Sequence, residues 1–191
     1  MSIELSEPDI EGTKSLEECI YERKSHRTFS GKEIEFDKIS QLLWCAQAYK
    51  NGNRTVPSAG GTYPLEIYVH LKNMGFYYYN FEERILEPKI SEDISAEMAR
   101  KSLNQDFIHA APLNIIICAD YSRTCNRYGE RGKRYVHMEV GHCAQNVLLE
   151  SEALGLVSVP IGAFRDTELK NLMNLSDNLD VLYILPIGYP K

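Results

Sequence analysis

The sequence predicts a single layered α+β domain, and three patterns carry that prediction. Period-two alternation from Leu65 runs into a turn and an aromatic stretch, the mark of a β-hairpin. The run Leu113 to Ala119 is apolar on both sides, as a strand covered on both faces must be. The segment Lys133 to Leu154 repeats its apolar residues at helical spacing. Helices mixed with a hairpin favour a layered α+β domain over a doubly wound one. A chain of 191 residues, 43% hydrophobic and 25% charged, can bury a sizeable core and has ordinary globular composition. No repeat, low-complexity tract or linker divides it, so residues 1–191 are read as one domain.

In chain order, Ser15 followed by Glu18 is a capping-box pattern, and Leu16, Cys19 and Ile20 then share one face of a helix running to about Arg23. A second amphipathic helix spans Ile34 to Ala48, with Phe36, Ile39, Leu43 and Trp44 turned inward. The hairpin puts Leu65, Ile67, Val69 and Leu71 on one side and turns at Asn73-Met74-Gly75 into Phe76-Tyr77-Tyr78-Tyr79. Ser91 to Leu103 reads as a short helix, and Leu113 to Ala119 as the central strand, with helices on both sides of the sheet. The long helix Lys133 to Leu154 places Val140, Cys143, Ala144, Val147, Leu148 and Leu154 on one face and stops at Gly155. Leu156 to Val159 and Val181 to Ile187 read as strands, with a helix capped by Asp166 and reaching about Leu175 between them.

Charge and cysteine usage exclude several classes. With 21 Lys+Arg against 27 Asp+Glu the net charge is -6, which disfavours nucleic acid or an anionic membrane surface as partner. The stretch Met1 to Glu11 has no basic or apolar signal region, and Ala110 to Ala119, interrupted by Pro112 and Asn114, is far shorter than the ~18 apolar residues of a spanning helix. The expected location is cytoplasmic. Cys19, Cys45, Cys118, Cys125 and Cys143 form an odd set without a C-x-x-C pair and are read as reduced, mostly buried thiols.

Three segments carry candidate chemistry. Arg23-Lys24-Ser25-His26-Arg27 gathers cations and a hydroxyl just past a helix end, a composition that suits an anion cradle. It equally suits a solvated helix end whose cations complement the helix dipole. Arg54 to Pro64 is rich in small residues that let backbone amides approach a ligand, yet it has neither P-loop nor dinucleotide-fold spacing, and an ordinary turn fits as well. Val159-Pro160-Ile161-Gly162-Ala163-Phe164 follows the long helix and a strand, where an amide can face a cofactor atom or simply end the strand. His137 and His142 flank Glu139, but five residues turn a helix by roughly 140°, so the histidines do not share a face and no metal site is expected.

In order, these segments resemble the nitroreductase family of FMN-dependent oxidoreductases, and within it the branch of azoline (SagB-type) peptide dehydrogenases. The resemblance runs from about Ser15 to Lys191. It rests on Arg23-Lys24-Ser25-His26-Arg27-Thr28-Phe29, Leu42 to Gln47, Arg54 to Gly60, Glu139 to Asn146, Ala153 to Leu156, Pro160 to Phe164, and Pro186 to Pro190. It implies a sandwich with a mainly antiparallel sheet and an intertwined homodimer with FMN at the subunit interface. By the same resemblance Arg23, Lys24 and Ser25 would hold the FMN phosphate, and Arg27 would lie at the N1/O2 edge of the ring. Pro57, Ser58, Ala59, Gly60 and Gly61 would reach the flavin of the partner subunit. Pro160, Ile161, Gly162 and Ala163 would face its ring, with an amide toward N5.

Many members carry basic residues beyond the final P-x-G segment. Here the sequence offers Lys191, so either that residue or Arg23 and Lys24 would supply the charge. Azoline-oxidising members are similar in having a Lys-Tyr pair ahead of the long helix, where this chain has Arg127-Tyr128. An arginine stays protonated and is a poor general base, which leaves Tyr128 as the candidate catalytic residue. The first expectation is therefore a reductase passing hydride from NAD(P)H through FMN to a small-molecule acceptor. The alternatives are a peptide dehydrogenase acting on azolines or related groups and a non-catalytic flavin-binding protein.

Overall fold

The computed structural model describes residues 2–50 and 53–191, without the Lys50 side chain; Met1, Asn51 and Gly52 lie outside the described residues. Its elements are β1 (Ile3–Glu4), α1 (Leu16–Glu22), α2 (Phe36–Ala46), β2 (Tyr49–Lys50), β3 (Asn53–Arg54), β4 (Leu65–Leu71), β5 (Gly75–Asn80), β6 (Ile85–Ile90), α3 (Ser95–Lys101), α4 (Phe107–Ala110), β7 (Leu113–Ala119), α5 (Tyr121–Tyr128), α6 (Arg131–Ala153), β8 (Val157–Ser158), α7 (Asp166–Leu172) and β9 (Asp180–Gly188). The main sheet has the order β1-β6-β5-β4-β7-β9-β8, and each neighbouring pair is antiparallel. This is the layered α+β architecture that the sequence patterns and the resemblance imply.

Alternation along the strands builds two cores. Leu65, Ile67, Val69 and Leu71 of β4 join Leu113, Ile115, Ile117 and Ala119 of β7 and Leu185 and Ile187 of β9 on one face, beneath α2 and α6. Ile116, Cys118, Val181 and Ile184 point the other way, toward α3, α4 and α7. The β4–β7 register, Leu65 opposite Ala119 through Leu71 opposite Leu113, keeps like faces together, since a one-residue slip would turn every side chain to the wrong layer. All seven residues of β7 are buried, and each large apolar side chain there contributes about 1.5–3 kcal/mol. The long helix behaves as expected: Val140, Cys143, Ala144, Val147 and Leu148 are buried, and Gly155 at φ 71° lets the Leu156 amide turn back to the Ser151 carbonyl at 2.8 Å. The five cysteines are free, with Cys125 half-buried and the others buried.

Several local expectations need correction. The Ser15–Glu18 capping box is present, but of the α1 face only Cys19 is buried; Leu16 and Ile20 are 59% and 58% exposed. Phe36, expected inward, is 39% exposed at the start of α2, which ends at Ala46. The helix expected from Ser91 begins at Ser95, because Asp93 Oδ1 accepts from the Ser95 amide (2.9 Å) and hydroxyl (2.6 Å) and starts the turn there. The helix expected to reach about Leu175 ends at Leu172, and Asp166 is its first residue, not its cap, so its charge acts on the helix dipole. Strand β6 and helix α5 were not anticipated: the first contains Pro88, and the second buries only Thr124, so neither shows a clear apolar period.

Candidate functional site

The segment after α1 is held by its backbone and leaves its side chains free. Arg23 caps α1 with its amide on the Cys19 carbonyl, and Ser25 then forms a parallel bridge with Ser158 of β8, the His26 amide donating to the Ser158 carbonyl at 3.0 Å. Those contacts place Arg23, Lys24 and Ser25 beside the strand that leads into Pro160–Ala163, so the structure brings the first and third candidate segments together. Arg23 is half-buried; Lys24, Ser25 and Arg27 are exposed. Among the described residues, none of the ion pairs includes Arg23, Lys24, Arg27 or Lys191. In a chain with more acids than bases, cations that stand outside the ion pairs are available to an external anion.

Arg27 and Lys191 meet in an open groove of about 500 Å³, lined also by Phe29, Asn104, Gln105, Asp106 and Phe107. That size is within the usual range for a small-molecule or cofactor site. The Arg27 guanidinium lies 5.9 Å from the centre of the Phe107 ring. Gln105 Nε2 donates to the Ala163 carbonyl at 2.9 Å and to the Ser102 carbonyl at 2.8 Å, which ties this groove to the end of the third segment. Ile161 exchanges backbone hydrogen bonds with Ile184, after which the chain leaves the sheet. Gly162 and Ala163 are exposed, and among the described residues neither amide N–H has a backbone acceptor. A Cβ at Gly162 would lie 3.2 Å from the Tyr183 ring.

The small-residue loop is built differently. A 3-10 turn over Ala59–Gly61 follows Ser58, whose Oγ accepts the Tyr63 amide at 2.9 Å. Helix α5 holds the loop from one side: Thr62 and Thr124 hydroxyls meet at 2.8 Å, Arg123 donates to the Tyr63 carbonyl at 3.1 Å, and Arg127 donates to the Gly60 carbonyl at 3.0 Å. Gly60 sits at φ 62°, and a Cβ there would lie 2.5 Å from the Tyr128 hydroxyl and 3.0 Å from the Arg127 guanidinium. Only glycine fits both the backbone and the packing. Arg127-Tyr128 is thus brought to this loop. Among the described residues no hydrogen bond joins Pro57, Ser58, Ala59, Gly60 or Gly61 to the Arg23–Arg27 segment.

Helix α6 supplies a buried acid beneath the same loop. Glu139 is 2% exposed and its Oε1 has no hydrogen-bond partner. Burial pushes its carboxyl up to about 7, against the pull of the Ser58 hydroxyl and the Arg54 guanidinium. Arg54 is itself caged, 4.2 Å from each of the Tyr63 and Phe81 ring centres, with Nη1 buried and without a partner. Among the described residues no group of three potential metal ligands forms, and His137 is engaged with the Tyr121 hydroxyl at 2.5 Å.

The sequence does not single out Asn104 or Gln105, and it offers Glu139 only between two histidines that do not share a helix face. Leu103 and Asn104 both have positive φ, 58° and 59°, and the asparagine is the one local signal of such a turn. Glu139 was legible: it sits between Val136, Val140 and Cys143 on the buried stripe of α6, where an acid needs a reason.

Residues 20–189 match the model of the Nitroreductase family. A Methanocaldococcus jannaschii protein named as a nitroreductase is 40% identical over 98% of this chain and 96% of its own length. An Archaeoglobus fulgidus protein named as an NADH dehydrogenase/NAD(P)H nitroreductase is 26% identical over 92% of this chain and 87% of its own. Among solved structures, a Ralstonia eutropha protein described as a nitroreductase superposes with a TM-score of 0.90 at 28% identity, covering 100% of this chain and 90% of that one.

Proposed function

The chain belongs to the nitroreductase family of flavin-using oxidoreductases, and we propose that it binds FMN and passes hydride from NAD(P)H to a small-molecule acceptor. The carrying observation is the Ser25–Ser158 bridge, which sets Arg23, Lys24 and Ser25 beside the strand leading to Gly162 and Ala163, whose amides lack backbone acceptors among the described residues, while Arg27 and Lys191 line a groove tied to Ala163 through Gln105. When bound, FMN supplies reversible two-electron chemistry; the protein supplies charge, shape and exclusion of water. Arg23, Lys24 and Ser25, with Lys191, fit a phosphate by charge and hydrogen bonding. Arg27 fits the N1/O2 edge of a flavin ring, where positive charge favours added electrons, and the amide of Gly162 or Ala163 fits its N5. The names of the M. jannaschii and A. fulgidus relatives support a reductase, and that of the A. fulgidus relative supports a nicotinamide donor.

The same reading includes a homodimer, in which Pro57, Ser58, Ala59, Gly60 and Gly61 of one chain complete the flavin site of the other. The exposed Leu16, Ile20 and Tyr21 of α1 and Met138 of α6 offer an apolar face for that association. Light scattering should give twice the chain mass for the flavin-loaded protein. A peptide azoline dehydrogenase is the second reading, and Arg127 counts against it: its guanidinium is committed to the Gly60 carbonyl. Purified protein should show a flavin spectrum, release FMN on denaturation, and oxidise NAD(P)H when a quinone or nitroarene is added. Bound FMN with no NAD(P)H oxidation would overturn the reductase reading, and absence of flavin would overturn the cofactor.

A further inference from the structure

The stretch from Arg123 to Arg134, on α5 and the start of α6, is basic in a chain of net charge -6: Arg123, Arg127, Arg131, Lys133 and Arg134 stand against Glu130. Two of these cations are taken up within the chain, Arg123 by Glu66 and Lys133 by Glu130 at 2.7 Å, and Arg127 donates to the Gly60 carbonyl. Arg131 and Arg134 are exposed, and among the described residues neither takes part in an ion pair. Nor does the helix call for them. The first turn of α6 carries Arg131, Lys133 and Arg134 and no acid, the reverse of what the helix dipole favours.

Both arginines lie beside the loop Pro57–Tyr63. A Cβ at Gly60 would meet the Tyr128 hydroxyl at 2.5 Å, the Tyr128 ring packs edge-on against Tyr135 at 5.1 Å, and Arg131 lies one turn before Tyr135 on the same side of α6. Arg134, three residues after Arg131, is about 60° around the helix from it. A row of contacts therefore leads from the loop across two half-buried rings to two guanidiniums without carboxylates.

We propose, on the reading that this loop borders a flavin reduced by a nicotinamide dinucleotide, that Arg131 and Arg134 bind the 2′-phosphate of the donor and make the protein prefer NADPH to NADH. The two donors differ by one phosphate monoester on the adenosine ribose, remote from the carbon that gives up hydride, so the group that tells them apart belongs on the rim of the site. A phosphate monoester suits the planar forks of two arginines, each able to donate two hydrogen bonds to it. The neutral 2′-hydroxyl of NADH calls instead for a carboxylate acceptor, and the one acid of this stretch, Glu130, is held by Lys133. The rings of Tyr128 and Tyr135 give the adenine an apolar surface next to the same cations.

The test uses the purified protein with its flavin and two readouts. Calorimetry should find adenosine 2′,5′-bisphosphate bound roughly ten- to hundred-fold more tightly than AMP, and kcat/KM should favour NADPH over NADH by a similar factor. Both ratios should fall toward one in the Arg131→Ala/Arg134→Ala double variant. Equal binding of the two adenine nucleotides by wild type, or a ratio that survives in the double variant, would overturn the proposal. Pyrophosphate bound as tightly as the bisphosphate would also overturn it, marking a surface that takes any anion. Selection of the bisphosphate through these arginines with neither dinucleotide oxidised would overturn the reductase reading and leave the phosphate site standing, whereas oxidation of both with equal kcat/KM would do the reverse.

Discussion

The Arg23–Arg27 segment and the Pro57–Tyr63 loop both flank the candidate site, yet one is fixed through its backbone and the other through side chains. The first borrows order from β8 by the Ser25–Ser158 bridge and keeps its cations unpaired. The second is pinned by Thr124, Arg123 and Arg127 and sits over a buried acid, with Ser58 accepting the Tyr63 amide inside the loop. Free cations on a rigid backbone recognise charge; a loop braced through its carbonyls presents shape. A substitution in the first region should therefore alter affinity with little change in stability, and one in the second should alter stability and its pH dependence.

The largest expected effect tests the second half of that contrast. The Glu139 carboxyl is raised in the folded chain from an ordinary 4.5 to about 7, so the stability it favours is complete below 4.5 and is lost as pH rises through about 7. That interval corresponds to about 3 kcal/mol. Glu139→Gln should gain on wild type by up to that amount between pH 5 and pH 8.5 in denaturant titrations, and the difference between the two proteins removes the contribution of the other groups. A constant difference across that range would mean that Glu139 titrates as an ordinary surface acid and that the two regions do not differ as described.

The charge-reading region should give the next effect. Arg23→Ala or Arg27→Ala removes a charge-assisted contact and should weaken FMN roughly ten- to hundred-fold. Thermal unfolding of the flavin-free variants should stay close to wild type, because neither guanidinium is among the ion pairs of the described residues. Affinity unchanged in both variants, measured by flavin fluorescence, would remove the cradle. Affinity and stability falling together would show that the segment shapes the fold and is not reserved for a ligand.

How much of this the sequence reveals follows the same division. The hairpin β4–β5, the buried strand β7 and the helix α6 declare themselves because their apolar period is set by packing against a complete core. Leu16 and Ile20 share the same period and are exposed, since periodicity reports a face that wants cover without saying whether this chain or another provides it. Helix α5 was hidden for the opposite reason: its residues serve the loop with hydrogen bonds, and a polar helix leaves no apolar stripe. Arg23 to Arg27 stood out by composition alone, whereas their nearness to Gly162 and Ala163 depends on a bridge between residues 25 and 158 that no local pattern contains.

The smallest expected effect is at Tyr128, where the two regions bear on the choice of reaction. Its ring packs edge-on against Tyr135 at 5.1 Å, and its hydroxyl is the atom that excludes a side chain from Gly60. Among the described residues that hydroxyl makes no hydrogen bond to the loop, while Arg127 beside it does. Removing the oxygen therefore leaves the aromatic contact and the Arg127 anchor in place, and Tyr128→Phe should change stability by less than about 0.5 kcal/mol. Flavin reduction by NAD(P)H requires no proton to be taken from the donor by this residue, so its single-turnover rate should stay largely intact. Oxidation of an azoline differs, since a proton must leave the peptide as hydride departs, and Tyr128 would have to receive it with Arg127 held on Gly60. Rapid flavin reduction by an azoline peptide, lost in Tyr128→Phe, with no response to NAD(P)H, would reverse the order of the two readings and recast the loop as a catalytic wall.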